Sequence, residues 1–118
     1  MAGLVDAGKN LLLDGFASGV SFVSLHTADP STGGTNEVSG GAYTREAASW
    51  ASAASASVST SASIVFDVPG STTITHLGYW SASTAGTFYG SRALDTSQTF
   101  ATAGTYTIAS GNITESIT

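Results

Sequence analysis

Between Ser57 and Phe66 the chain alternates without a break: Val58, Thr60, Ala62, Ile64 and Phe66 fall on one parity, and Ser57, Ser59, Ser61, Ser63 and Val65 on the other. Successive side chains of an extended backbone point to opposite faces, so a period of two is the repeat of a half-buried strand. One face of this segment is buried and the other is a ladder of serines. The low-complexity stretch Ala47 to Ala62, nearly filled by Ala and Ser, reads for the same reason as strand and not as linker.

The rest of the chain repeats the signal in shorter pieces. Val20 to Thr27 is rich in β-branched and aromatic residues and ends in the turn-forming run Asp29-Pro30-Ser31-Thr32-Gly33-Gly34, with Asp29-Pro30 as an Asx-type turn starter. A long loop from Ala28 to Gly41 follows. Tyr43 to Trp50 reads as a second strand, and Thr72 to Trp80, opened by Pro69-Gly70, as another. Ser81 to Gly86 then turns the chain into Thr87-Phe88-Tyr89-Gly90, which predicts a hairpin. Phe100, Tyr106 and Ile108 mark further strands, and Ile113 and Ile117 alternate with polar residues near the end. The exception is the start, where Leu4, Val5, Leu11, Leu12 and Phe16 recur at helical spacing and Asp14-Gly15 offers a stop, so residues 3 to 14 are expected to form one helix.

Seven or eight short strands at this spacing predict an all-β chain: a single-domain antiparallel β-sandwich or jelly-roll-like barrel with a short N-terminal helix. The expected layout is one domain over residues 1–118, with an N-terminal helical segment at 1–17 and the β-sandwich at 20–118. A chain of 118 residues has no room for a second core.

Composition narrows the function. Only 9% of residues are charged, against roughly 25% in a typical soluble domain, so Ser, Thr and Gly must cover much of the surface. Three basic residues, Lys9, Arg45 and Arg92, stand against eight acidic ones, which argues against a groove that neutralises nucleic-acid phosphates. There is no cysteine, hence no disulfide framework and no thiolate metal site; stability must come from the core or from partners, with oligomerisation the cheapest route. The N-terminal apolar stretch carries charges and no cleavage pattern, so neither a signal peptide nor a membrane span is expected there.

No motif for chemistry stands out. His26 and His76, the two histidines, lie within apolar strand patterns and lack the third ligand that zinc needs. Serines abound, but there is no G-x-S-x-G elbow around a nucleophile. Asp29, Glu37, Glu46, Asp67 and Asp95 sit mostly in or beside turns, where Asp is ordinary, and are poor candidates for paired glycosidase carboxylates. Asp29, Asn36 and Glu37 offer loop oxygens to calcium, but at no EF-hand spacing. Asn112-Ile113-Thr114 is a short, frequent sequon. The aromatics Trp50, Phe66, Tyr79, Trp80, Phe88, Tyr89 and Tyr106 could stack on sugars as in a carbohydrate-binding module, though on alternating strands aromatics are more often core. Tyr79 and Trp80 are adjacent and so face opposite ways, which makes one of them a candidate for an interface. The expectation is a non-enzymatic protein without cofactors.

Two signatures carry a resemblance. Ser24-Leu25-His26-Thr27-Ala28-Asp29-Pro30 leads through Gly33-Gly34 to Glu37-Val38-Ser39-Gly40-Gly41-Ala42-Tyr43-Thr44-Arg45. Later, Ile74-Thr75-His76-Leu77-Gly78-Tyr79-Trp80 is followed by Gly86-Thr87-Phe88-Tyr89-Gly90. Together, over residues 24 to 90, they resemble a module of tailed phages, notably those of actinobacteria, found in proteins described as tail-fibre, minor tail or capsid decoration proteins. The resemblance implies a virion component and no catalytic residues.

The favoured expectation is a capsid decoration protein, made in the host cytoplasm and bound to the major capsid protein as a trimer on the capsid exterior. Tail-fibre and carbohydrate-binding roles are the alternatives, the former with a host-surface glycan as a possible partner; neither nucleic acid nor membrane is expected. The candidate partner contacts are Leu4 and Leu11 on the helix, Asp29, Asn36 and Glu37 in the long loop, Arg45, and Trp80. Arg45 is expected to pair with a carboxylate such as Glu37 or Glu46, or with a neighbouring subunit.

Overall fold

A computed structural model describes residues 3–118; the first two residues of the expected helical segment lie outside it. One helix, α1 (Asp6–Gly19), precedes eight strands: β1 (Phe22–His26), β2 (Glu46–Ala47), β3 (Ser57–Ser59), β4 (Ile64–Val68), β5 (Thr72–Trp80), β6 (Phe88–Phe100), β7 (Gly104–Ile108) and β8 (Thr114–Ser116). All pairings are antiparallel. A four-stranded sheet runs β2-β1-β5-β6, and two ribbons, β4-β7 and β3-β8, complete the fold. The all-β reading with a short N-terminal helix holds.

The core lies between the sheet and the ribbons. Val23 and Leu25 on β1 pair with Tyr79 and Leu77 on β5, and these four meet Ile64, Phe66 and Val68 of β4 with Ile108 and Ile113 in one cluster. Burying these side chains away from water is what drives the two layers together. Ile74 also belongs to this cluster, although it stands three residues before Leu77 and strict alternation would turn it away. Beside it the register of β5 on β6 shifts between Ile74 and His76. Opposite the single residue Thr75, β6 accommodates four, Leu94 to Ser97. A bulge of this kind re-phases and bends the strand that carries the extra residues, here β6.

Four elements differ from the sequence reading. Phe88 to Phe100 is one thirteen-residue strand, where a short strand at Thr87-Phe88-Tyr89-Gly90 and a further one marked by Phe100 are expected. The helix runs past Asp14-Gly15 to Gly19. Phe16 anchors the extra turn edge-on against Trp50 and Tyr79, with ring centroids 5.6 and 5.3 Å apart, and the Val20 N–H closes it onto the Phe16 carbonyl. The unbroken alternation from Ser57 to Phe66 is two strands, not one: β3 pairs with β8 and β4 with β7, separated by a bend at Ser61-Ala62. Finally, Tyr43 to Trp50 yields only the two-residue β2 and an isolated bridge from Trp50 to Thr60. The Ala/Ser stretch before β3 is mostly not strand; the helix ties it down, with Asn10 Oδ1 accepting from the Ala56 N–H and Asp14 Oδ1 from the Ala53 N–H, both at 2.8 Å.

Candidate functional site

The second face of the sheet is closed as well. There Ser24, His26, Gly78 and Trp80 lie beside Phe88, and the loop from Thr27 to Arg45 folds over them. The loop is held at the edge of β1, where Thr27 N–H bonds to the Asn36 carbonyl and Val38 N–H to the Leu25 carbonyl. Gly34, at φ +72°, passes so close to the indole that a Cβ there would sit 2.5 Å from a ring carbon of Trp80. Trp80 is only 8% exposed and Tyr79 only 3%. The expectation that one of the two adjacent aromatics stays free for a partner is therefore corrected: they do face opposite ways, but both faces are covered.

Arg45 locks the loop. Its Nε and Nη2 donate to the two carboxylate oxygens of Glu37 at 3.0 Å each, and Nη1 donates to the carbonyls of Ala82 and Ala85 in the β5-β6 turn. The guanidinium carbon lies 3.6 Å from the centroid of the Trp80 ring, a cation–π arrangement. Tyr43 completes the set, donating its hydroxyl to Glu37 Oε2 at 2.9 Å and accepting the Leu25 N–H at 3.0 Å. Burial pushes the Tyr43 phenol above its ordinary range. The planar fork of arginine serves this site because it reaches a carboxylate bidentately and stacks at the same time. Of the two carboxylates expected for Arg45, Glu37 is the partner; Glu46 accepts instead from the Thr44 hydroxyl.

Beneath the loop a polar chain has one consistent direction. His26 Nδ1 lies 2.8 Å from the Thr35 carbonyl, which can only accept, so Nδ1 carries the proton and Nε2 accepts from the Ser24 hydroxyl at 2.6 Å. Ser24 Oγ in turn accepts the Trp80 indole N–H at 2.8 Å. Burial pushes His26 below the ordinary histidine value, outweighing the Thr35 hydrogen bond and the Glu37 charge that act the other way. The pair resembles a nucleophile and its base, but both residues are 0% exposed and a backbone carbonyl stands where a triad carboxylate would be. Its geometry suits a structural bond.

The remaining expected contacts divide. Asp29 and Asn36 are exposed, with Asp29 Oδ1 accepting from Ser31 N–H as an Asx turn and Asn36 Nδ2 donating to the Asp29 carbonyl. Since Glu37 is committed to Arg45 and Tyr43, these three do not converge on a cation, and no group of three or more potential metal ligands occurs among the described residues. Leu4 is half-buried. Leu11 is 75% exposed and Leu12 45%, and Val5, at the N-cap of α1, is 71% exposed, so the helix and its start present apolar side chains that the described residues do not cover.

One open concavity was not anticipated. It measures 420 Å³ and lies where β6 bulges away from the β4-β7 ribbon. Its floor is Leu77, Ile108 and Ile113; Leu94 and Tyr106 form apolar walls, and Arg92, Asp95, Gln98 and Asn112 line the rest. Arg92 is engaged, donating to the Thr114 carbonyl and pairing with Glu115 at 3.3 Å. Glu115 also accepts the hydroxyl of Tyr79, whose phenol burial holds above its ordinary range.

The small β domain thus closes both faces of its main sheet with its own loop and ion pair, and leaves apolar helix side chains and open grooves outward. Residues 8–116 match the family model of the podophage GP4 fiber I protein gp80, and the chain belongs to that family. It is a phage structural protein and a component of the virion. No curated protein matches it. The match supports the virion reading of the two sequence signatures, but speaks neither for an actinobacterial source nor for a place on the capsid.

Proposed function

We propose that the chain is a non-enzymatic subunit of a phage fibre, joined to the particle through its helix and carrying its β domain outward. The observation that carries this is the family match over residues 8–116. The exposed Val5, Leu11 and Leu12 support it, since neighbouring apolar side chains left in water are characteristic of surfaces that associate. Assembly as a trimer multiplies weak contacts, which suits a thin appendage. The mechanism is mechanical: binding of the assembled state stabilises it by mass action, and the rigid, hydrogen-bonded loop holds the β domain in one shape under load.

Immunogold electron microscopy of purified particles, with antibody raised against the β domain, tests the location. Label on fibres is the expected result. Label spread over the head would replace this reading with capsid decoration, and unlabelled particles that also lack the chain by mass spectrometry would overturn both.

A further inference from the structure

We propose that the groove between the β6 bulge and the β4-β7 ribbon is a binding site for a neutral saccharide. The inference deepens the fibre reading and rests on it only for the source of the ligand, the host envelope.

The site lies at an irregularity in β6. Had β6 run regularly beside β5, one residue would oppose Thr75; instead four do, Leu94 to Ser97. The excursion carries Leu94, Asp95 and Thr96 to the groove. Bulges are enriched next to functional sites because they re-aim side chains. At 420 Å³ the space falls in the range of about 300–1,000 Å³ found for ligand sites.

Its lining selects the ligand. Leu94 and Tyr106 offer apolar surface over a floor of the buried Leu77, Ile108 and Ile113, and the greater part of the lining is polar. Asp95, Gln98 and Asn112 add a carboxylate and two amides at the rim; Asp95 and Asn112 are exposed, and Gln98 spends one amide N–H on the Thr96 carbonyl while its carbonyl oxygen stays available. Carboxylates and amides carry two polar atoms side by side, matching the vicinal hydroxyls of a pyranose, whose C–H face packs on aromatic and aliphatic walls. The one cation, Arg92, is paired with Glu115, and with Asp95 close by the groove holds no free positive charge to attract an anionic sugar. A neutral hexose or N-acetylated hexose is the ligand that uses both surfaces.

The test is a printed array of neutral and anionic glycans probed with the full chain, followed by calorimetry on the best binder. The expected result is binding to one or more neutral glycans, weakened at least tenfold by Asp95→Ala and by Asn112→Ala. Both positions are exposed, so melting temperatures should hold, and Leu11→Glu should leave binding unchanged. Nuclear magnetic resonance shifts on titration should cluster at residues 92–98 and 106–113. Binding only to anionic glycans, binding untouched by both rim substitutions, or no binding on the array would overturn the proposal. Since none of these readouts uses the particle, the groove can fail while the fibre location stands, and the reverse.

Discussion

Arg45 ties the long loop to the β5-β6 turn through four hydrogen bonds. Its side chain is 9% exposed and that of Glu37 23%, and a buried pair that loses one partner leaves the other charge without water or counter-ion. Arg45→Ala is expected to cost about 3 kcal/mol in urea unfolding. Arg45→Lys keeps the charge but loses the fork and the stacking on Trp80, and should cost about half of that. Equal stability of the wild type and both variants would remove the staple from the account. His26 sets a pH dependence of known sign. Unfolded, it takes a proton near pH 6.5; folded, burial delays that to lower pH. The unfolded state therefore binds more protons as pH falls below 6.5, and stability declines there by no more than about 1.4 kcal/mol per pH unit. Chemical denaturation of wild type and His26→Asn between pH 7 and 5 checks this, the variant lacking that part of the slope.

At the scale of elements, legibility in the sequence depends on whether a boundary has local chemistry. β5 was read at its observed limits because Pro69-Gly70 precedes it and a Ser-Ala-Gly turn follows. The break between β3 and β4 was missed because Ser61-Ala62-Ser63 carries neither Gly nor Pro and preserves the alternation. The switch of pairing partner, from β8 to β7, is decided by residues far along the chain, such as Ser116 opposite Ser57 and Ile108 opposite Ile64. The helix outran its stop for a similar reason, since the packing of Phe16 on Trp50 and Tyr79 is tertiary. The parity of Tyr79 and Trp80 was legible and the loop that covers Trp80 was not, because glycine-rich segments do not announce where they dock. The groove lay further out of reach, as Leu94 to Ser97 gives no sign of a four-against-one bulge. The loop can be tested at Gly34: alanine there meets the Trp80 ring and a positive φ together, with an expected cost of about 3 kcal/mol. Tryptophan fluorescence should shift to the red before global unfolding as the loop lifts from Trp80. A variant as stable as the wild type with unchanged fluorescence would contradict the observed docking.

In the whole molecule, the fibre proposal assigns the helix to contacts with neighbouring subunits and the groove to the surroundings. Leu11→Glu separates assembly from folding. At 75% exposure the substitution should change stability by no more than about 0.5 kcal/mol, while particles grown with the variant should lose the chain. Retention at the wild-type level would exclude Leu11 from the attachment. The fibre assignment itself is tested most directly by counting copies of the chain per purified particle, by quantitative mass spectrometry against the major capsid protein. A small number in multiples of three or six is the result this account expects; hundreds of copies would put the protein on the capsid surface, and its absence would contradict a virion role altogether.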